Sequence, residues 1–300
     1  MLKADVNRKS FVISTTDNIV EVFAPAKINL YLHIVDRRND GYHLLDSLVA
    51  FAGIGDHLIL HSSDELSLKI DGPNANALKI SNNIVLKTAN AFAKSFGISA
   101  KVAITLTKNL PVAAGIGGGS ADSAATLRGL CHLWKLSVNE IELARIGLSI
   151  GTDLPVCLAG IPTQVSGIGE ILTPASHLPT AWIVLVNTGI KLSTSEVFKI
   201  NSKTFSKPSP LIESPIDAAT LAKALNRRRN DLTESALQLS PIINDVLNAI
   251  AASDNCLLTR MSGSGATCFG IFANQKTAEI AANQIAINHV SWWIAVAPLL

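Results

Sequence analysis

The stretch Pro111-Val-Ala-Ala-Gly-Ile-Gly-Gly-Gly-Ser-Ala-Asp-Ser-Ala-Ala125 decides the fold of this 300-residue chain. Four of the five residues from 115 to 119 are glycines, which let backbone N–H groups turn toward one point without a Cβ in the way. A strand-like run, 102–107, precedes the stretch, and a helix-like run, 121–134, follows it. Because the first turn of a helix offers unpaired N–H donors and a positive dipole end, the stretch predicts an anion cradle, typically for a nucleotide phosphate.

The common phosphate-binding and kinase motifs do not describe this loop. The chain has no Gly-Lys-Ser/Thr of a Walker A loop, and Ser120 and Asp122 stand where a G-x-G-x-x-G fingerprint would place its last glycine. It also has no His-Arg-Asp or Asp-Phe-Gly of a protein kinase. The alternative is a tight strand-to-helix turn whose glycines serve packing, but three consecutive glycines followed by Ser and a helix favour the anion site.

Composition limits the class of protein. A hydrophobic fraction of 48% with 16% charged residues predicts a sizeable core in one large domain or two ordinary ones. A net charge of +2 does not favour nucleic-acid binding, and no apolar run is long enough to span a bilayer, so we expect neither partner. The four cysteines lie far apart, which indicates reduced thiols in a cytoplasmic protein. Residues 1–20 lack an apolar secretory segment and are predicted to form an N-terminal tail.

Two charged residues stand out in apolar surroundings. Residues 22–35 alternate as in a half-buried strand, with apolar side chains on one face and Lys27, Asn29, Tyr31 and His33 on the other. For a lone strand lysine the alternative is a solvated outer face. Asp153 precedes Leu154-Pro155 and could instead cap a backbone N–H. Paired across a cleft, Lys27 and Asp153 could handle a hydroxyl proton, because the ammonium keeps the carboxylate ionised and stabilises a developing alkoxide.

The rest of the chain predicts a mixed α+β protein in two layers, with a boundary between about residues 160 and 185. We expect a helix over 83–96, a capping box over 137–140, strands over 164–172 and 182–187, and helices over 217–252 with breaks near Asn230 and Pro241. Strands are also expected over 44–51 and 57–60, separated from 22–35 by an Asp-Gly turn. The run 227–229 of three arginines is interpreted as a solvated helix end without a functional role.

Three segments together resemble the motifs of the GHMP small-molecule kinases: Pro25-Ala-Lys-Ile-Asn29, the glycine loop, and Gly263-Ser-Gly-Ala266. The resemblance runs from about residue 22 to 298. It implies a two-lobed α+β fold, with a ribosomal-protein-S5-like domain over 21–180 that binds ATP and carries catalysis, and a smaller ferredoxin-like α+β domain over 181–300. The element Arg37-Arg-Asn-Asp-Gly-Tyr-His43 is similar to that of the GHMP kinases whose acceptor is a cytidyl-diphosphate derivative of the sugar alcohol methylerythritol, in non-mevalonate isoprenoid synthesis.

That resemblance implies transfer of the ATP γ-phosphoryl group to the 2-hydroxyl of the acceptor, with Mg²⁺. It makes Lys27 and Asp153 the catalytic pair. It assigns substrate binding to four residues: Asn29, Tyr42, His43 and Phe198. The residues that it places around ATP are Lys108, Pro111, Gly115, Gly117, Gly118, Gly119, Ser120 and Ser123. No metal ligand is assigned, and Ala121 stands where the family commonly has a second serine after the glycines.

Two alternatives stay open at this point. The chain could be another GHMP kinase, of the homoserine or mevalonate type, although Asp40-Gly-Tyr-His43 has no obvious use without a base to bind. It could also be a nucleotide-binding regulator on the same fold, because a fold does not fix a function. The oligomeric state is left open.

Overall fold

The structure is a computed structural model that describes residues 11–16, 18–200 and 204–300. Its contacts divide the chain into two compact units, each built from three separate stretches. The first unit contains the residues up to Ala24 together with Asp56–Asn109 and Gly119–Ile161; the second contains Pro25–Gly55, Leu110–Gly118 and Pro162–Leu300. The domain boundaries 21–180 and 181–300 stay a prediction. Within the described residues, no helix is long and apolar enough to cross a membrane.

The first unit combines a sheet with helices. Its elements in chain order are β1 (Val12–Thr15), the start of β2 (Ile19–Arg37), the end of β3 (His43–Ser62), β4 (Ser67–Asp71), α1 (Ile84–Ser95), β5 (Val102–Thr107), α2 (Gly118–Leu133, which begins one residue before this unit), α3 (Glu140–Ile150) and α4 (Leu154–Ala159). The strands follow the order β1-β2-β3-β5-β4, in which β1–β2 and β3–β5 are antiparallel and β4–β5 is parallel. β1 lies in the segment that we predicted as a tail, of which residues 1–10 and 17 lie outside the described residues.

Local sequence signals explain the ends of these elements. The side chain of Asn83 accepts a hydrogen bond from the Val85 N–H and caps α1, which ends before Gly97 in a left-handed conformation at φ +64°. The capping box that we predicted at Ser137 is wrong, because the cap of α3 is Asn139, whose side chain accepts from the Glu142 N–H. The two strands that we predicted over 44–51 and 57–60 are one continuous strand, β3.

The second unit contains the rest of β2 and β3 and a separate four-stranded sheet. Its further elements are β6 (Thr163–Gly167), β7 (Ile171–Pro174), β8 (Trp182–Asn187), α5 (Thr194–Ile200), α6 (Ala218–Leu225), α7 (Thr233–Leu239), α8 (Ile242–Ala251), β9 (Leu258–Met261), β10 (Cys268–Phe272), α9 (Gln275–Asn288) and β11 (Trp293–Pro298). β6 and β7 form a hairpin where we predicted one strand. The order β11-β8-β10-β9 is antiparallel and corresponds to the βαββαβ arrangement expected from the resemblance.

The part of strand β2 in the second unit is more deeply buried than the half-buried strand that we predicted over 22–35. Lys27, Asn29 and His33 expose only 4%, 5% and 4% of their surface, and Tyr31 exposes none, so the polar face of β2 is as buried as its apolar face. Buried polar groups are tolerated when they are hydrogen-bonded, and this face carries such partners, as described below. The strand therefore holds its functional side chains in a site screened from water.

Candidate functional site

The side chains of Lys27 and Asn29 form a buried polar pair on β2. Lys27 Nζ donates a hydrogen bond to Asn29 Oδ1 at 2.9 Å. The Asn29 amide in turn donates to Ser47 Oγ at 2.8 Å, and the Ser47 hydroxyl donates to the main-chain carbonyl of Tyr31 at 2.6 Å. The solvated outer face that was the alternative for Lys27 is therefore excluded, and the ammonium is held in a fixed direction.

The glycine loop and the late glycine segment lie against each other and against β2. A Cβ at Gly115 would stand 2.5 Å from the carbonyl oxygens of Ser262 and Gly265, and Gly115 has φ +74°. A Cβ at Gly117, where φ is +62°, would stand 2.9 Å from Lys27 Cβ. A side chain would meet main-chain atoms at Gly115 and the Lys27 side chain at Gly117, so the loop main chain lies directly beside Lys27.

Two further hydrogen bonds fix this contact. The Lys27 N–H donates to the Ile116 carbonyl at 2.9 Å. The Asn29 N–H donates to Ser262 Oγ at 3.2 Å, and that hydroxyl donates to the Gly115 carbonyl at 3.1 Å. Within the second unit, the part of the glycine loop up to Gly118 thus lies against both Pro25–Asn29 and Gly263–Ala266.

Aromatic side chains gather at the start of β3. The ring of His43 lies 5.4 Å from that of Phe198 on α5, centroid to centroid, while the Tyr42 side chain in the preceding turn is 57% exposed. The turn closes through the Gly41 N–H, which donates to the Arg38 carbonyl, and Gly41 has φ +92°, as the Asp-Gly signature predicts. Burial lowers the pKa of His43, and the nearby Arg37 guanidinium lowers it further, so the imidazole is neutral at pH 7.

Lys108, which was predicted to bind ATP, lies in a buried cluster of charges in the first unit. Its ammonium donates to Asp56 Oδ2 at 2.5 Å and to Asp122 Oδ2 at 2.7 Å, and Lys108 is 2% exposed. Burial would lower the pKa of Lys108, but the two carboxylates raise it above its usual value. Burial raises the pKa of Asp122 to about 8, since one ammonium cannot fully compensate two buried carboxylates.

The remaining predicted residues occupy turns and helix starts. Gly118 begins α2, Gly119 is exposed, and Ser120 is half-buried in the first turn. The Ser123 hydroxyl is used inside the helix, where it donates to the Gly119 carbonyl. Asp153 is exposed at the N-cap position of α4, and its side chain does not cap that helix. Pro111 is buried at the start of the loop.

Sequence reasoning missed several partners of the predicted residues. Ser47, Asp56 and Ser262 were not singled out, although Ser47 follows the Tyr42-His43 element by four residues. Arg228, which we took as part of a solvated helix end, is 6% exposed; its guanidinium donates to the carbonyls of Ser209, Pro210 and Ala224 and lies 5.6 Å from the Tyr31 ring. The interpretation was wrong for Arg228, whose buried charge is compensated by main-chain carbonyls, whereas the side chains of Arg227 and Arg229 are each 68% exposed.

Comparison with known proteins identifies the family. Residues 83–160 match the model of the GHMP kinases N terminal domain, and residues 210–290 match that of the GHMP kinases C terminal. The chain is 54% identical over 277 residues to the 4-diphosphocytidyl-2-C-methyl-D-erythritol kinase of Paramagnetospirillum magneticum, covering 92% of this chain and 97% of that protein. It is 47% identical to the kinase of the same name from Rhodospirillum rubrum, covering 96% and 95% of the two chains.

Similar crystal structures confirm the α+β GHMP-kinase fold. That of a 4-(cytidine 5'-diphospho)-2C-methyl-D-erythritol kinase covers 93% of this chain and 98% of its own, with a TM-score of 0.77 and 29% identity. The homoserine kinase from Cytophaga hutchinsonii has a TM-score of 0.73 over 96% of both chains, but at 16% identity it shares the fold alone. Because it is 54% and 47% identical to these two kinases over 92% and 96% of its length, the chain belongs to the 4-diphosphocytidyl-2-C-methyl-D-erythritol kinase family of the GHMP kinases.

Proposed function

We propose that this chain transfers the γ-phosphoryl group of ATP to the 2-hydroxyl of 4-diphosphocytidyl-2-C-methyl-D-erythritol, giving ADP and the 2-phosphate in non-mevalonate isoprenoid synthesis. The observation that carries the proposal is the aromatic group at the start of β3, where His43 lies against Phe198 beside an exposed Tyr42. Such a group suits a cytosine base, which homoserine and mevalonate lack. A regulator that only binds nucleotide would not need the buried Lys27–Asn29 pair beside the glycine loop.

Lys27 and Asp153 are the residues that we assign to the acceptor hydroxyl. Asp153 is exposed and can accept or orient a hydroxyl proton. The Lys27 ammonium, fixed by Asn29, can stabilise negative charge that develops on the transferred group. Phosphoryl transfer depends mostly on positioning and charge stabilisation. One oriented ammonium, together with one carboxylate that accepts the hydroxyl proton or orients the hydroxyl, can therefore support the reaction.

The glycine loop supplies the backbone donors for the ATP phosphates, and the first turn of α2 adds further N–H groups. In the described part of the chain, no cluster of three or more His, Cys, Asp or Glu could hold a metal ion. The side chain that we assign to Mg²⁺ is Ser120, half-buried in the first turn of α2, and the nucleotide phosphates and water would supply the other ligands. When bound there, Mg²⁺ would neutralise negative charge on the nucleotide phosphates.

We place this reaction in the cytoplasm. The four cysteines of the chain are free thiols, as expected in a reducing compartment. The partners that the proposal requires are ATP and the small-molecule acceptor.

A substrate panel tests the proposed function. With ATP and Mg²⁺, we expect ADP release with the cytidyl acceptor and none above background with mevalonate, homoserine or methylerythritol phosphate, which lacks the base. Hydrogen bonds to the base would reject analogues that cannot pair with the site. A coupled assay of ADP release measures which of these compounds is phosphorylated. Equal turnover of mevalonate or homoserine would overturn the substrate, and ATP binding without any transfer would favour the regulator.

The protonation state of His43 gives a pH prediction. A neutral imidazole has one N–H donor and one acceptor for the cytosine edge, and this balance is lost on protonation. Since burial and Arg37 lower the pKa of His43, the KM for the cytidyl acceptor should rise on acidification at a lower pH than the titration of an ordinary histidine would give. We expect His43→Gln, which keeps a donor and an acceptor but does not titrate, to lose this acid rise. An acid rise that survives in His43→Gln would assign it to another group.

A further inference from the structure

The hydroxyl of Ser47 is hydrogen-bonded to the Asn29 amide of the Lys27–Asn29 pair. Ser47 lies on β3, is 1% exposed, and is not among the residues that the sequence assigned to the site. Its oxygen is contacted from two sides by β2: it donates to the Tyr31 carbonyl at 2.6 Å and accepts from Asn29 Nδ2 at 2.8 Å. The group therefore joins the main chain of one residue to the side chain of another.

The number of protons available to these hydrogen bonds fixes which end of the Asn29 amide faces Ser47. A main-chain carbonyl can only accept, so the single hydroxyl proton of Ser47 is used on Tyr31. The hydroxyl then offers only lone pairs to Asn29, and only the NH₂ end of the amide can face it. The opposite end, Oδ1, faces the Lys27 ammonium, which has three donors and no acceptor.

The reversed amide is disfavoured at both ends. It would place an NH₂ group against the Lys27 ammonium and a carbonyl oxygen against a hydroxyl oxygen whose proton is already used. The main chain of Asn29 is held in place and does not relieve these unfavourable contacts. Its N–H donates a hydrogen bond to Ser262 Oγ, and the Ser262 hydroxyl donates to the Gly115 carbonyl. Ser47 thus determines the orientation of the amide, and this orientation presents Oδ1 as the acceptor for the Lys27 ammonium.

We propose that Ser47 is a positioning residue for phosphoryl transfer, whose hydroxyl orients the Asn29 amide so that its oxygen holds the Lys27 ammonium in place. The inference rests on the proposed function, since it gives Lys27 a role at the transferred group. It also assigns Asn29 a task besides substrate binding, because both ends of its amide are engaged by protein groups.

The kinetic test uses two nearly isosteric variants. Ser47→Thr keeps the hydroxyl, whereas Ser47→Val has the same shape without it. We expect Ser47→Thr to stay close to wild type, and Ser47→Val to lose about 10- to 100-fold in kcat, because misplacing a catalytic group by about an ångström has effects of that order. The KM for ATP should not change. If both variants lose activity equally, packing rather than the hydroxyl is responsible, and the proposal is overturned; Ser47→Ala replaces Ser47→Val if the latter does not fold.

A double-variant cycle separates positioning from a general structural effect. In an Asn29→Ala background, Ser47→Val and Ser47→Thr should have the same kcat, because the hydroxyl acts only through the Asn29 amide. A role in packing alone would give additive losses. Additive losses in this cycle would count against the proposal even if the single variants behaved as expected.

A readout without turnover keeps this inference separate from the proposed function. In ¹H–¹⁵N spectra, the Asn29 side-chain NH₂ protons should exchange slowly in the wild type and in Ser47→Thr, and should shift and exchange faster in Ser47→Val. Unchanged Asn29 signals in Ser47→Val would overturn the role of Ser47 whether or not the cytidyl compound is the acceptor. The expected shift in a protein that fails to phosphorylate that compound would leave the hydrogen-bond chain intact and overturn the proposed function instead.

Discussion

Replacement of Lys27 by Met should lower kcat with the cytidyl acceptor by about 10²- to 10⁴-fold, the range over which single electrostatic or acid–base groups contribute to catalysis. Asp153→Asn should have a loss of similar size, because the amide cannot accept the hydroxyl proton. In both variants ATP binding should persist, since the loop backbone that we assign to the phosphates is unchanged. Single-turnover kinetics together with calorimetric titration of a non-hydrolysable ATP analogue measure the two effects separately.

The exposed Lys101 provides a matched control for Lys27. Lys101→Met removes the same charge at a surface position and should leave both kcat and nucleotide binding at the wild-type level. Unchanged turnover in both Lys27→Met and Asp153→Asn would remove the pair from the mechanism. Loss of ATP binding in Lys27→Met would indicate that the lysine acts on the nucleotide rather than on the transferred group.

Lys108→Met should destabilise the protein by about 3–5 kcal/mol, because removing one partner of a buried ion pair leaves uncompensated charge in the interior. The ammonium of Lys108 is bonded to Asp56 and Asp122, and all three residues are buried. Without it, the carboxyl groups must be protonated or the first unit must open to water. Thermal and urea unfolding of the purified variant measure this loss.

Asp122→Asn is the control for this cluster. Because burial raises the pKa of Asp122, its carboxylate charge is costly in the interior, and a neutral amide of the same shape should cost less stability than the loss of Lys108. Its Oδ1 also finds no hydrogen-bond partner among the described residues, as expected of a poor site for full negative charge. If Lys108→Met instead kept its stability and raised the KM for ATP, Lys108 would act directly on the nucleotide.

The local sequence predicted the elements whose signals lie within a few residues. The helix capped by Asn83 and ended before Gly97, the strand Val102–Thr107 and the strand Trp182–Asn187 were predicted because caps, glycines and apolar periodicity act over short distances. The strand pair β6 and β7 was predicted as one run, since a hairpin and an extended strand share the same alternation over so few residues.

Burial of the polar face of β2 could not be predicted in this way. Alternation predicts one solvated face, yet Lys27, Asn29 and His33 are buried: Lys27 donates to Asn29, and partners from distant segments satisfy Asn29 and His33. The Ser47 hydroxyl satisfies Asn29, Ser262 holds its main chain from 233 positions away, and the Arg229 N–H donates to His33 Nε2. Such partners become visible only when the chain is folded.

The sequence by itself determined which residue types are available and where the backbone can bend: glycines at 115 and 117, a lysine within an apolar strand, and an Asp-Gly turn before Tyr42 and His43. These follow from steric freedom and side-chain chemistry, which every residue carries with it. Only the tertiary structure decided which groups meet. It enclosed Lys108 between two carboxylates and directed the Asn29 amide through Ser47, because hydrogen bonds and charges act over a few ångströms in space, irrespective of distance along the chain.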